Sequence, residues 1–287
     1  MTQQPSTSRG RRGLAANLIC VLLSVAALMT AMGTAKATAV TGPVTKARAI
    51  GASHTTAKLR DPRRNVAPSP DYLDNCAANG SNNRTCLRQA LAAINAARAD
   101  EGIRPMVLPI NYAHMSIVRQ TFVVTNLERI ARGLRPIKGL TSRLNANARH
   151  AANSQEDPSL VGSVMSLLGV RSYGSVWAGD FGPLSSDYDW MYNDGYSAAG
   201  SVNLDCRTPS SSGCWGHRHV ILGQYSGLRT LIAGVGSSDA AGSSLAEIVV
   251  GSVHSSFHYV YTWKQALSYG AAGHKVTAAT TNVAAGA

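Results

Sequence analysis

No stretch restricts this chain more than residues 206 to 222, Cys-Arg-Thr-Pro-Ser-Ser-Ser-Gly-Cys-Trp-Gly-His-Arg-His-Val-Ile-Leu. The filler between Cys206 and Cys214 has no apolar period, and its Pro and Gly interrupt any regular element, so it must be a loop. A disulfide across it would fix the direction in which Gly216-His217-Arg218 enters the next element. The rest of the chain is then read as the scaffold for that braced segment.

Whether such a disulfide forms depends on where the chain goes. Arg9, Arg11 and Arg12 precede an apolar run from Leu14 to Met32, and Ala35-Lys-Ala37 and Ala37-Thr-Ala39 follow it. A basic start, an apolar middle and an A-x-A exit predict a secretory signal peptide over 1–37 and a secreted, extracellular protein. Retention of the run as a membrane anchor is the alternative, because it is nearly long enough to span a bilayer. With cleavage no transmembrane anchor is expected. Cys20 follows Ile19 inside the run and lacks the small preceding residue of a lipidation site. Cleavage leaves Cys76, Cys86, Cys206 and Cys214, and an even count in an exported chain predicts two disulfides. Of the three possible pairings, Cys76–Cys86 with Cys206–Cys214 asks least of the fold, since each closes a short loop rich in Gly, Asn or Ser.

The net charge of +12 is a nucleic-acid signal only if it sits on the folded part. It does not. The first 37 residues carry four basic and no acidic residues, and 38–70 carry six basic residues against Asp61. From residue 71 onward seventeen basic residues face fourteen acidic ones. No nucleic-acid partner is expected, and the basic segment suits anionic envelope polymers or headgroups, or acts as a solvated spacer.

Residues 38–70, rich in Thr, Ala, Pro, Lys and Arg, have no apolar period and are expected to be a disordered linker. Residues 71–272 carry enough apolar content for one core, and 273–287 form an Ala/Thr-rich tail expected to fray. Leu87, Leu91 and Ile94 recur at helical spacing up to Gly102, and Val123, Leu127 and Ile130 share a face between Ser116 and Arg132 before Gly133. A third helix starts at Thr141 or Ser142 and turns Leu144, Ala148 and Ala151 inward. The first two helices end alike, Asn95-x-x-Arg98-x-x-x-Gly102-x-x-Pro105 and Asn126-x-x-Arg129-x-x-x-Gly133-x-x-Pro136, a likeness that helix capping alone accounts for. In the second half Gly174–Gly179 reads as a short strand or loop and Ser185–Tyr196 as a short aromatic helix or turn. Leu228–Gly236 and Leu245–Val253 are β-branched runs around a Gly/Ser/Asp/Ala turn, which predicts a hairpin. Helices followed by strands give an α+β class, with a small antiparallel sheet.

The order of these features resembles the CAP superfamily, the cysteine-rich secretory, antigen-5-like and pathogenesis-related proteins. The likeness is carried by Asn126-Leu-Glu-Arg129-Ile-Ala-Arg-Gly133-Leu-Arg-Pro136, by the Ala-rich run from Leu144 to Ala152, by Trp190, by Gly216–Leu222, and by the closing pair Ala233-Gly-Val-Gly236 and Glu247-Ile-Val-Val250. It covers residues 121–255 and implies an α-β-α sandwich, with the helix before it as an N-terminal extension. It also implies a central cleft of two His and two acidic residues, able in some members to bind a divalent metal such as zinc. His217 matches one cleft His and would be the metal ligand. The other His has no match after the Ala-rich helix, where Gln155-Glu156-Asp157-Pro158 stands and His150 lies inside the helix. Trp177-Ala178-Gly179 replaces the Gly-Glu-Asn that supplies one acid, the second acid falls at Asn193-Asp194, and Val220 stands where the His motif has Asn.

The cleft candidates are therefore His217, Arg218, His219, Asp194, Trp190, Trp177, Asp157 and His150. His217 and His219 share a face on a strand but not on a helix. Arg218 is expected to pair with a carboxylate, Asp187, Asp189 or Asp194. Trp177, Trp190 and Trp215 either line a pocket for a sugar or acyl chain or fill the core. No Gly-x-Ser-x-Gly, His-Glu-x-x-His or Cys-x-x-Cys is present. The leading expectation is a monomeric, non-enzymatic domain that binds a small molecule, lipid, glycan or envelope component around His217. The alternatives are a secreted hydrolase using His217 with Asp194, Asp157 or Glu156, and a structural envelope protein.

Overall fold

Asn83 and Thr141 begin two of the helices, and left-handed glycines end two. The computed structural model describes residues 59–66, 70–179, 182–225, 228–239 and 244–276. The expected signal peptide, most of the expected linker and residues 277–287 lie outside them. Helix α1 (Pro70–Asn79) runs into α2 (Arg84–Asp100), where the Asn83 side chain accepts a hydrogen bond from the Thr85 amide at 2.8 Å. Cys76 and Cys86 are joined with their Cα atoms 4.8 Å apart, so the expected loop is a helix–turn–helix whose only turn is 80–83. Helix α3 (Ile117–Ala131) follows Ser116, and Gly102 and Gly133 take φ of +66° and +77° just past α2 and α3.

The two similar helix ends are one hydrogen-bonding device used twice. Asn95 Oδ1 accepts from the Met106 amide at 2.6 Å, and Asn126 Oδ1 from the Ile137 amide at 2.7 Å. Arg98 Nε donates to the Arg104 carbonyl and Arg129 Nε to the Arg135 carbonyl. Capping by glycine does not require either side chain, so the pattern exceeds the capping explanation. Each helix is clasped to the strand-like segment that follows its Pro.

Strand β1 (Gly139–Leu140) leads into α4 (Ser142–Ser154), capped by the Thr141 hydroxyl, with Leu144, Ala148 and Ala151 buried. Helix α5 (Gly162–Leu167), strand β2 (Val170–Ala178), α6 (Pro183–Tyr192) and α7 (Gly216–Ile221) precede β3 (Thr230–Ser238) and β4 (Ser244–Ser252). Strand β5 (Tyr261–Thr262), α8 (Trp263–Ser268) and a short 3-10 turn (Ala271–Gly273) follow. The sheet order is β2-β4-β3-β1-β5. The predicted hairpin is there, Ile232 opposite Val250 and Val235 opposite Glu247. The sheet is mixed rather than antiparallel, because β1 pairs parallel to β3. A two-residue strand has no period to read, and the crossover through α4 sets its direction.

Alternation along the strands sends side chains to two helical layers. Ile232, Ile248 and Val250 gather with Leu144 and Ala148 of α4, while Leu231, Val235, Leu245 and Val249 join Phe122, Val123 and Leu127 of α3. Fully burying each such side chain contributes about 1.5–3 kcal/mol. Helix α4 comes so near β3 that a Cβ on Gly234 or Gly236 would fall within its backbone.

Residues 59–66, inside the segment expected to be a linker, hydrogen-bond to the domain. Val66 donates to the Tyr192 carbonyl at 2.9 Å, and Asn65 exchanges two hydrogen bonds with Gly195, at 2.7 and 2.8 Å. Composition misses this because a strand-like strap needs no apolar period when its backbone and one Asn supply the bonds.

Candidate functional site

The braced loop works by holding one carboxylate. Cys206 and Cys214 are joined across a Cα separation of 4.4 Å. Asn203, three residues before the brace, donates through Nδ2 to Asp194 Oδ1 at 2.7 Å and to the Gly213 carbonyl at 2.8 Å. Trp215 adopts φ +61°, unusual without glycine, and its amide bonds the Asp194 carbonyl at 2.9 Å. This turn starts α7 directly over Asp194. The carboxylate then accepts the Arg218 amide at 3.0 Å and faces His217 Nδ1 at 2.6 Å, capping the helix from a distant segment.

His217 and Asp194 open onto a cleft of about 560 Å³. Trp177, Trp190 and Asp157 line the same cleft, so five of the eight predicted residues meet there. Trp190 is buried, its indole N–H donating to the Trp177 carbonyl at 3.2 Å. Gln155, Asp189, Ser201, Asn203 and Asp205 add to the polar lining and were not among the cleft candidates. The sequence signal for two of them is Asn203-Leu-Asp205 directly before Cys206. Among the described residues no Lys or Arg lines the cleft.

Three candidates lie elsewhere. Arg218 is fully buried with its guanidinium on Glu101, both nitrogens 3.0 Å from that carboxylate, so its partner is none of the expected aspartates. His219 projects from the other side of α7 to Asp61 at 2.9 Å, because the motif is a helix and residues two apart diverge. His150 is exposed on α4 and does not line the cleft. Trp215 is not in the lining either, and stands beside the Arg218 guanidinium at 6.0 Å. Among the described residues no group of three or more His, Cys, Asp or Glu side chains is placed to hold a metal ion. The zinc role implied for His217 therefore finds no ligand set there.

Burial opposes charge on both members of the pair. It pushes the Asp194 carboxyl up despite the His217 hydrogen bond. On His217 burial is outweighed by the Asp194 hydrogen bond and the charges of Asp194, Asp157 and Asp205, which raise the imidazole pKa. Asp157, exposed at the cleft mouth yet crowded by its wall, is raised by partial desolvation. The His217 Nε2 has no hydrogen-bond partner among the described residues, while its Nδ1 is fixed. That leaves one ring nitrogen to meet whatever enters.

Behind the cleft lies a chain of buried charges. Arg218 meets Glu101, Glu101 meets Arg132 at 2.7 Å, and Glu128 pairs with both Arg132 and Arg98, the latter at 3.0 Å. Arg129 donates to the Ile221 and Gly223 carbonyls at 2.6 and 2.9 Å, fastening the end of α7. Asp187 and Glu247 are also buried. Burial raises the Asp187 carboxyl, whose oxygens have no hydrogen-bond partner among the described residues. Glu247 accepts from the Thr125 hydroxyl at 2.6 Å, and burial pushes it up to about 8.

A carboxyl raised by folding contributes stability that is whole below its ordinary value of 4.5 and lost as the pH climbs through about 8. Each pH unit in that window costs about 1.4 kcal/mol. Urea unfolding from pH 5 to 9 should therefore show wild type falling more steeply than Glu247→Gln, with the variant the more stable at pH 9. Parallel curves would show that Glu247 is charged in the folded protein.

The chain matches no family model, and no curated protein matches it.

Proposed function

We propose that this chain is an exported protein with a CAP-like α-β-α domain whose acidic, tryptophan-walled cleft binds a glycan of the cell envelope without turning it over. Support for export comes from the signal-like N-terminus and two disulfides, and among the described residues no helix is long and apolar enough to cross a membrane. The observation that carries the ligand class is the lining itself: Asp157, Asp189, Asp194, Asp205 and His217 beside Trp177 and Trp190, with no Lys or Arg among the described residues. Carboxylates accept hydrogen bonds from hydroxyls, and an indole face takes the apolar face of a sugar ring. A polyanion would meet repulsion there.

Calorimetry with a soluble N-acetylglucosamine oligomer tests this. Wild type should bind, and His217→Ala and Asp157→Asn, folded as judged by thermal melting, should bind at least tenfold more weakly. No heat with wild type overturns the glycan reading. A purely structural role predicts variants that change the melting temperature and nothing else.

One arrangement favours a second reading, a hydrolase. Asp194 fixes His217 Nδ1 and leaves Nε2 able to take a proton from water, the role of a general base. Release of new reducing ends by wild type but not by His217→Ala would establish it. Activity would then rise with pH through the elevated His217 pKa.

A further inference from the structure

A second cavity, of about 550 Å³, opens between β1, β3, β5 and α8. Its register sets it far from the His217 cleft. Thr230 and Leu231 line it, and Thr230 pairs with Ser252, which pairs with Val170 at the start of β2. The His217 cleft instead takes Trp177 and Ala178 at the end of β2, roughly 25 Å away along the strands. The cavity is also near the opposite edge of the sheet, so the two sites share no residue.

The lining has two parts. Leu231, Trp263 and Leu267 give an apolar wall, to which Tyr259 adds its ring. Around it stand four cations, Arg135, Lys138, Arg229 and Lys264, all exposed, and no carboxylate lines the cavity among the described residues. None of the four has a carboxylate partner among the described residues. Arg135 is fastened by donating to the Leu228 carbonyl at 2.8 Å, and the Lys138 ammonium lies over the Tyr259 ring at 5.7 Å. Four like charges around one mouth repel one another and are relieved by an anion. A negative charge alone would have no use for the indole and leucine wall, and an apolar molecule alone would leave the charges unrelieved. The volume lies within the usual range for small-molecule sites.

We propose that this cavity binds a single-chain anionic amphiphile, its carboxylate or phosphate head among Arg135, Lys138, Arg229 and Lys264 and its apolar body against Trp263. The site is independent of the glycan reading, since it uses other residues at the other end of the sheet. Charge and shape are both needed for recognition there. Arg229 and Lys264 supply the part of the field least tied to the framework.

Calorimetry with dodecanoate and dodecyl phosphate below their micelle concentrations tests it, against neutral dodecyl maltoside and inorganic phosphate. The purified protein should bind both anionic amphiphiles and bind the neutral detergent and phosphate at least tenfold more weakly. Arg229→Glu/Lys264→Glu, two exposed substitutions, should lose at least tenfold in dodecanoate affinity with an unchanged melting temperature. Equal binding of the neutral detergent, or full affinity in the double variant, overturns the proposal. So does capture by vesicles containing phosphatidylglycerol with no binding of either single-chain anion, which would assign the cations to a membrane surface instead of a cavity.

Discussion

Replacing Glu128 by alanine is expected to remove about 3–5 kcal/mol of stability, the cost of leaving a buried charge without its partner. Glu128 is inaccessible to solvent, as is Arg132, and Arg98 is nearly so. Its two oxygens serve three groups: Arg98, Arg132 and the Tyr192 hydroxyl, which donates at 2.9 Å. Burial works against the charged form, yet the two guanidiniums outweigh it and hold the carboxyl below its ordinary value. Truncation removes that compensation and leaves the Arg98 guanidinium without an ion pair among the described residues, with the more distant Asp187 as the carboxyl whose charge it still feels. Arg132 keeps Glu101, so the loss stays short of two orphaned charges. Against a typical total of about 5–15 kcal/mol, this is a large share. Denaturant unfolding at pH 7 measures it, and a loss below about 1 kcal/mol, the value of an exposed pair, would show that the network is solvated.

Gly236→Ala is expected to have an effect of the same order for a steric reason. The added methyl would lie within the backbone of Ala148 and Arg149, and backbone inside a helix cannot rotate away as a side-chain tip can. Relief requires α4 to move off β3, which separates Leu144 and Ala148 from Ile232, Ile248 and Val250. Overpacking costs about 1–3 kcal/mol where neighbours can adjust, and more where they cannot. The contrast is Gly162→Ala at the start of α5, where nothing lies within 4 Å and φ is not positive. Thermal unfolding should leave that variant near wild type and lower Gly236→Ala by many degrees. Equal melting temperatures would mean that α4 does not rest on the glycines as described.

The Gly-x-Gly of β3 was legible as a pattern before its cause was visible. So was the repeated Asn-x-x-Arg, whose cause is the hydrogen bonding of Asn126 to Ile137 and of Arg129 to the Arg135 carbonyl on either side of Pro136. The helix start at Thr141, the stops at Gly102 and Gly133, the β3–β4 hairpin and both local disulfides followed from residues a few positions apart. These are short-range effects of dihedral preference, capping and loop closure, and a sequence displays them directly. Local reasoning put His217 just past a braced loop, while only the resemblance to the CAP superfamily offered Asp194, Trp177, Trp190 and Asp157 as its company, and all four line the cleft with it.

Sequence alone determined the three long helices, the β3–β4 hairpin and the residues that carry polar chemistry. Tertiary structure decided who faces whom. Arg218 met Glu101 across 117 positions instead of a nearby aspartate, and it left the cleft as a result. His219 turned to Asp61 because α7 is helical, and residues 59–66 docked on α6 and α7 although their composition reads as a linker. The partner of a buried charge is chosen by which carboxylate the packed elements bring within about 4 Å under low dielectric. That distance depends on the whole fold and leaves no local mark in the chain.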